Sequence, residues 1–186
     1  MILKKRDIAD CQLLYHLITD PAVYPFVRHK PSSYDEYVFL TKQAIEAEER
    51  GELVSRTIVD EWGTPIGTIN LYDICEQSGF LGTWIGKPYF GKGYNRLAKE
   101  AFFEELFFEK NITTIYMRIR KENVRSYQAA MKLPFCMIAT ELPASLLIKM
   151  NKTSDYHFFK IEKDQYLLYK KRQPVPSAFA SDVKEA

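Results

Sequence analysis

The chain has 186 residues, of which 46% are hydrophobic and 14% aromatic, which is enough apolar material for the core of one domain. Its 26 basic and 24 acidic side chains leave a formal net charge of +2, which argues against a nucleic-acid-binding surface. No stretch approaches the roughly 18 apolar residues of a membrane span. The scattered Cys11, Cys75 and Cys136 form neither a disulfide framework nor a zinc site. The composition predicts a cytoplasmic protein with no metal, membrane or nucleic-acid partner.

Two helices and several strands are predicted in the first half of the chain. Apolar residues recur at helical spacing after the N-cap candidate Asp7, and Asp20-Pro21 ends that pattern. Ser33 and Glu36 match the capping box, which predicts a second helix from Ser33 to about Arg50. The strands predicted around these helices are residues 2–6, 53–59, 65–72 and 80–86.

The second half has two clear elements and several weaker ones. Residues 93–109 carry an apolar helical face. Residues 113–120 alternate as a strand does, with Ile115 and Met117 on one face and Arg118 on the other. The remaining predictions are a helix from Asn123 through Lys132, a strand at 135–139, a helix at 145–150, a strand at 156–161 and a helix at 163–171.

The order of these elements predicts a mixed α/β (α+β) fold in which helices pack on a sheet. Residues 1–172 are predicted to form a single domain. Residues 173–186 begin with Gln173-Pro174-Val175-Pro176 and are predicted to be a disordered tail.

The most informative segment is 83–95, where an apolar strand passes through three glycines and a proline into an amphipathic helix. Such a turn can direct several backbone N–H groups and a helix N-terminus at a phosphate. Asn95-Arg96 stands where the dinucleotide motif GxGxxG requires its third glycine, and the Gly-Lys-Ser/Thr of a Walker A loop does not occur. An ordinary strand-to-helix connection is the alternative explanation of these glycines.

A second segment has a similar arrangement. Residues 119–126 follow the alternating strand and enter a helix through Asn123-x-x-Ser126. Taken alone, Asn123 is explained as an N-cap and Ser126 as a surface residue. The two strand–turn–helix segments are separated by one helix and one strand, and together they are more specific than either alone.

On these two segments, residues 1–170 resemble the GNAT superfamily of N-acetyltransferases, and most of all the branch that includes the ribosomal-protein N-terminal acetyltransferases. The resemblance implies a mostly antiparallel, twisted sheet of about six to seven strands with a central splay. In the family, the pyrophosphate of acetyl-CoA binds an (Arg/Gln)-x-x-Gly-x-(Gly/Ala) turn, whose glycines are Gly91 and Gly93 here. Pro88 replaces the Arg or Gln and contributes no N–H group.

The resemblance also implies where acetyl-CoA lies. Its pantetheine arm would occupy the splay between the strand that ends near Ile85 and the strand that contains Ile119, with Asn123 as a hydrogen-bonding partner. The residues implied to bind it are Ile85, Lys87, Gly91, Lys92, Gly93, Tyr94, Asn95, Asn123 and Ser126.

The proton-transfer residues depart from the family pattern. Many members have a tyrosine seven residues after this asparagine that acts as general acid toward the thiolate, and the position is Ala130 here. The general acid is then Ser126, Tyr127 or absent. Asp73 and Glu76 follow a predicted strand and are the candidate bases, and plain surface-turn residues are the alternative for both.

The implied reaction is direct transfer of the acetyl group of acetyl-CoA to a primary amine in a ternary complex. The acceptor would be a peptide or protein N-terminus or a small-molecule amine. The alternative is a non-catalytic acyl-CoA-binding or sensory module, because the general-acid tyrosine is missing. The protein is expected to be bacterial, and a monomer or homodimer. The residues expected to build the acceptor pocket are Tyr24, Phe26, Arg28, His29, Tyr34, Tyr37, Tyr72, Tyr156 and Phe158.

Overall fold

The computed structural model describes residues 2–148 and 155–172. Within them, one sheet contains the strands β1 (Leu3–Lys5), β2 (Val54–Val59), β3 (Pro65–Cys75), β4 (Ser78–Ile85), β5 (Thr114–Arg120), β6 (Met137–Ile138) and β7 (Tyr156–Glu162). The α-helices are α1 (Cys11–Ile18), α2 (Tyr34–Glu49), α3 (Tyr94–Glu104), α4 (Val124–Met131), α5 (Ala144–Leu147) and α6 (Lys163–Arg172). The predicted tail, 173–186, and the end of the helix predicted at 145–150 lie outside the described residues.

The sheet opens between β4 and β5, as the family resemblance implies. The strand order is β1-β2-β3-β4-β5-β7-β6, and all neighbours are antiparallel except β4 and β5. This parallel pair is in register only from Ser78 and Thr114 to Leu81 and Met117. Beyond that point β4 stays on β3 and β5 stays on β7, so the two halves of the sheet separate.

The hairpin between β3 and β4 differs from the prediction. β3 ends later and β4 begins earlier in the sequence than predicted, so only the two-residue turn Glu76-Gln77 joins them. In this turn φ is +48° and +60°. Positive φ at both central residues is the geometry that suits a tight β-hairpin. Asp73 has φ of +57° and lies in an irregular stretch of β3, between Tyr72 and Cys75. Asp73 is therefore inside the strand, and Glu76 is at its turn.

The helix ends follow the capping signals with small shifts. The Ser33 hydroxyl accepts a hydrogen bond from the Glu36 N–H at 3.2 Å and begins α2. The Glu36 carboxylate accepts from the Ser32 N–H at 2.7 Å, so the reciprocal half of the capping box goes to the preceding residue. The helix predicted at 93–109 is α3 followed by a π-helical turn, Glu105–Glu109.

The two faces of the sheet have different cores. The face under α3 is apolar: Ile69, Ile115 and Phe102 are all fully buried in the main cluster. The face that packs with α1 and α2 carries a buried polar row. There the Ser55 hydroxyl donates to the side-chain oxygen of Asn70, and the side-chain amide nitrogen of Asn70 donates to the Thr68 hydroxyl at 3.2 Å. Hydrogen bonds within the row offset the cost of burying these groups.

A buried ion cluster joins α2 to the end of the α3 segment. The Arg56 side chain is 6% exposed; its guanidinium pairs with Glu48 of α2 at 2.7 Å and with Glu105 of the π-helical turn. Its Nε also donates to Glu105 at 3.0 Å. Removing one member of such a cluster leaves the opposite charges without partners.

We predict that Arg56→Met lowers the free energy of unfolding by about 3 kcal/mol, because both carboxylates lose their counter-ion in a poorly hydrated site. The matched control is Arg50→Met, which removes an exposed ion pair with Glu52 and should cost less than about 1 kcal/mol. Urea unfolding of both variants measures the difference. Equal losses in the two variants would contradict this role of Arg56.

Candidate functional site

The glycine turn presents free backbone donors. Gly91 and Gly93 have φ of +75° and +86°, a region that favours glycine, and a β-carbon at either position would meet nothing within 4 Å. Within the described chain, the N–H groups of Gly91, Lys92 and Gly93 donate to no acceptor, and Gly93 begins α3 without a side-chain cap. The first N–H groups of α3 add to this set. The turn is open, and its donors suit a phosphate.

Two aromatic side chains support this turn. The Tyr94 hydroxyl donates to Glu61, and this hydrogen bond, together with burial, raises the pKa of Tyr94 to about 12. The Tyr94 ring meets the Tyr89 ring edge-on at 6.0 Å, and the Lys92 ammonium lies 5.5 Å from the centre of Tyr89. The Tyr94 side chain thus anchors the turn, while its backbone N–H remains at the helix start.

The splay leaves backbone groups of β4 unpaired. The Gly86 N–H donates to the Ile66 carbonyl at 2.8 Å, so Ile66 and Gly86 form a hydrogen-bonded pair that continues the β3–β4 ladder. Because antiparallel positions alternate, the Trp84 N–H also faces β3, whereas those of Thr83 and Ile85 face the gap. Of Trp84 and Ile85, only Ile85 directs its N–H into the splay. An extended ligand arm could pair with these groups as a strand does.

The second strand–turn–helix segment closes the other side of the gap. Asn123 caps α4: its side-chain oxygen accepts from the Ser126 N–H at 3.1 Å. The Asn123 amide nitrogen and the Ser126 hydroxyl make no hydrogen bond within the described residues. Both residues line the large cavity between β4 and β5, so the cap and a ligand contact are compatible.

One cavity of about 830 Å³ connects the turn, the splay and α4. The predicted cofactor residues that line it are Ile85, Gly91, Gly93, Tyr94, Asn95, Asn123 and Ser126. Lys87 and Lys92 are exposed and do not line it. The cationic lining residues are Arg28, Arg96, Lys99, Arg118, Arg120, Arg125 and Lys132. No carboxylate from the described part of the chain lines this cavity, so its field favours an anionic ligand.

Lys99 is the one cation of this lining with a large pKa shift. It lies on α3 and makes no ion pair with the described residues. Burial lowers the pKa of Lys99 to about 8, and the nearby Cys136 thiol acts weakly in the opposite direction. Its charge therefore depends on pH close to neutrality, and an anionic ligand would favour the protonated form.

A second cavity, of about 510 Å³, lies beside the first on the α1–α2 face of the sheet. The residues that line both cavities are Val27, Arg28, Asn70, Tyr72 and Trp84. The predicted pocket residues His29 and Tyr37 also line the second cavity. Burial lowers the pKa of His29 below its ordinary value, as does the neighbouring Arg28 guanidinium. His29 is therefore neutral at pH 7 and able to accept a proton.

The other predicted pocket residues lie in different surroundings. The Tyr24 hydroxyl donates to the Pro31 carbonyl at 3.2 Å, and the Tyr34 ring contacts Tyr15. Phe26 and Tyr156 line the large cavity. Phe158 packs against a small cluster around Phe80.

The four predicted proton-transfer residues are not brought together. Asp73 lines the second cavity, where the Arg28 guanidinium donates to both of its oxygens at 2.8 and 3.1 Å. Glu76 is exposed at its turn and lines neither cavity. The Tyr127 ring packs on His157 and Phe159, outside the cavity lining. Of these four, Ser126 alone lies in the large cavity.

Sequence reasoning missed several residues of this site. Arg118 and Arg125 were not among the predicted cofactor or catalytic residues, and Asn70 was not singled out at all. The Arg125 guanidinium lies 4.0 Å from the centre of the Phe90 ring, beside the glycine turn. The alternation of β5 does place Arg118 opposite the apolar face, but only the pairing of β5 with β4 and β7 brings it near Phe80 and Tyr156 and into a cavity.

Residues 2–148 and 155–172 contain no group of three or more His, Cys, Asp or Glu side chains placed to hold a metal ion. They also contain no helix with the length and apolar character needed to cross a membrane.

A family model for the acetyltransferase (GNAT) domain matches residues 1–135. This match spans well over half of the chain, so the protein belongs to the GNAT acetyltransferase family and is an acyltransferase. The family uses acetyl-CoA as the acyl donor, and the free donors and cations of the large cavity fit that ligand. No curated protein matches the sequence.

Solved structures share the fold at low sequence identity. Spermidine N-acetyltransferase from Vibrio cholerae, in complex with CoA and spermine, is 17% identical with a TM-score of 0.71, covering 89% of this chain and 96% of its own. Apo FdhC, a nucleotide-linked sugar GNAT, is 17% identical with a TM-score of 0.72, covering 91% and 90%. A Vibrio cholerae structure provisionally assigned as a ribosomal-protein-serine acetyltransferase is 16% identical with a TM-score of 0.67, covering 86% and 92%.

Substitution of Asn123 separates its capping role from a ligand contact. We predict that Asn123→Ala and Asn123→Ser both weaken acetyl-CoA binding by about tenfold, because both lose the amide donor. Only Asn123→Ala should lower the free energy of unfolding, by about 1 kcal/mol, since serine is also a good N-cap. Calorimetric titration and urea unfolding measure the two effects. Wild-type affinity in Asn123→Ser would exclude the ligand contact.

Affinity for acetyl-CoA should fall as the pH rises through about 8, the pKa of Lys99. Below this pH the ammonium attracts the phosphates, and above it the attraction is lost, which should cost about fivefold in affinity. Titrations between pH 6.5 and 9.5 measure this. The acetyl-CoA affinity of Lys99→Arg should stay high and independent of pH, and that of Lys99→Met should be low and independent of pH. If the affinity of Lys99→Arg declines with pH as that of the wild type does, a group other than Lys99 causes the decline.

Proposed function

We propose that this protein is an N-acetyltransferase that moves the acetyl group of acetyl-CoA to a primary amine by direct attack in a ternary complex. The acceptor is a peptide or protein N-terminus or a small-molecule amine. Two of the structural neighbours, a spermidine N-acetyltransferase and a nucleotide-linked sugar GNAT, are consistent with a small-molecule acceptor. The cytoplasmic location, the bacterial origin and the monomeric or homodimeric state stay predictions from the sequence.

The observation that carries this proposal is that the two cavities meet. Tyr72, Trp84 and Asn70 form a common wall, with the open edge of β4 on one side and the second cavity on the other. An acyl donor whose phosphates lie at Gly91–Gly93 and whose arm follows the splay would bring its thioester to this wall. An amine held in the second cavity would reach the same point, so both reactants are positioned without a covalent enzyme intermediate.

The site also offers partners for the charges that change in the reaction. The Ile85 N–H faces the splay and is the candidate donor to the developing oxyanion. The neutral His29 and the paired Asp73 line the acceptor side and are candidates to take the proton of the amine, directly or through water. Ser126 is the candidate acid that lies in the donor cavity.

The second candidate function is a non-catalytic acyl-CoA-binding module on the same fold. One observation favours it: position 130, where many relatives carry the general acid, is a fully buried alanine. The two functions differ in turnover. A screen of purified protein with peptides, ribosomal proteins, polyamines and aminoglycosides should yield an acetylated product. Tight acetyl-CoA binding with no product from any amine would establish the module instead.

We predict that Gly93→Glu weakens acetyl-CoA binding by at least about a hundredfold, because its carboxylate stands where the phosphates bind and repels them. Acetylation of any accepted amine should fall with the affinity. The measurement is calorimetric titration together with an acetylation assay.

The matched control is Gly51→Glu. Gly51 also has positive φ, +74°, and open space over its α-carbon, but it follows α2 and lines neither cavity. Both variants add the same charge and the same backbone strain. Equal acetyl-CoA affinity in the two variants would show that the glycine turn is not the phosphate site.

A further inference from the structure

The charges at the junction of the two cavities indicate what kind of amine is accepted. Two guanidinium groups lie over aromatic rings near this junction. Arg28 stacks 4.4 Å from the centre of the Tyr72 ring, and Arg118 lies 5.3 Å from the centre of the Phe80 ring. Tyr72 and Phe80 are directly opposed in the β3–β4 register, so both guanidiniums cover neighbouring rings on one face of the sheet.

Within the described residues, only one carboxylate forms an ion pair with either of these two cations. Arg28 is paired with Asp73 at 2.8 Å. Arg118 makes no ion pair with any residue in the described ranges; its neighbours are the Phe80 and Tyr156 rings. Burial and the nearby Arg28 charge lower the pKa of Arg118, which reflects an environment that disfavours its charge. A half-buried guanidinium of this kind lacks an anion.

Arg118 lines the large cavity only, but it lies over Phe80, the cross-strand partner of Tyr72, and Tyr72 lines both cavities. Arg118 is the first residue of β5 beyond the last β4–β5 pair, where the splay begins. The glycine turn follows Ile85 at the C-terminal end of β4, further along the splay than Leu81, the last β4 residue that pairs with β5. Arg28, whose charge lowers the pKa of Arg118, lines both cavities. The phosphates of the donor and the anion that Arg118 lacks therefore belong to different ends of the site.

We propose that the acceptor is a small primary amine that also carries an anionic group, a carboxylate or a phosphate, and that Arg118 binds this group beside Arg28. This inference rests on the acetyl-transfer function proposed above. A guanidinium binds either anion through two parallel hydrogen bonds. The Phe80 and Tyr156 rings, 5.3 and 6.0 Å from the guanidinium carbon, limit the positions that Arg118 can adopt. A polyamine would bind poorly here, because its second ammonium would approach two like charges, of which only Arg28 is paired with a carboxylate.

Four amines of similar length test the charge preference: butylamine, 1,4-diaminobutane, 4-aminobutanoate and 3-aminopropyl phosphate. With acetyl-CoA saturating, kcat/KM should be at least about tenfold higher for one of the anionic amines than for butylamine, and lowest for the diamine. The two anionic arms distinguish carboxylate from phosphate. A diamine or butylamine rate equal to or above both anionic amines overturns the inference and leaves the acetyltransferase function intact.

Variants of Arg118 make the test specific to this residue. Arg118→Gln should remove the advantage of the anionic amine, mainly through KM, and Arg118→Glu should reverse the order of anionic amine and diamine. Acetyl-CoA affinity and the melting temperature are measured in parallel to confirm folded, donor-binding protein. Arg172→Gln removes an exposed charge of α6 that lines neither cavity, and it should keep the wild-type order.

The outcomes separate the two proposals. An unchanged anionic preference in Arg118→Gln contradicts the role of Arg118. Failure of all four amines, together with failure of the wider amine screen in protein that binds acetyl-CoA, contradicts the transfer function itself.

Discussion

The separation of β4 from β5 is the constraint on which the rest of this structure depends. The two strands pair only up to Leu81 and Met117, and each then continues on its other neighbour. Backbone groups that a continuous sheet would pair are left facing a gap, and unpaired polar groups of this kind need a partner. The same gap fixes the site: the glycine turn lies just past the end of β4, Asn123 just past the end of β5, and the large cavity lies between them.

Charge is distributed around this gap with a clear bias. The described lining of the large cavity contains cations and no carboxylate, although the whole chain is nearly neutral. The acidic side chains that do approach the core have other partners: Glu48 and Glu105 hold Arg56, and Asp73 holds Arg28. The pairs of Arg56 link α2 to the α3 segment, and the pair with Asp73 links Arg28 to β3. The cavity is thus left with a field that suits an anionic donor.

Much of this could be predicted from the sequence, because local signals determine it. The capping serine of α2, the alternation of β5 and the glycines at positive φ are visible in a few residues each. The site chemistry was less predictable. Arg118 lies near Phe80 and Tyr156 only because β5 pairs with both β4 and β7, and no local sequence pattern contains that information. Asp73 and Glu76 were misplaced relative to β3 because the tight turn has none of the usual glycine signals.

The most direct test of the splay as the donor site is backbone amide hydrogen exchange, followed by NMR with and without acetyl-CoA. The account predicts that acetyl-CoA slows exchange at Thr83 and Ile85, whose N–H groups face the gap, and at residues 91–95 of the glycine turn. The Trp84 amide, which faces β3, should change far less. Saturable binding that protects neither Thr83 nor Ile85, or that protects all three strand amides equally, would contradict it.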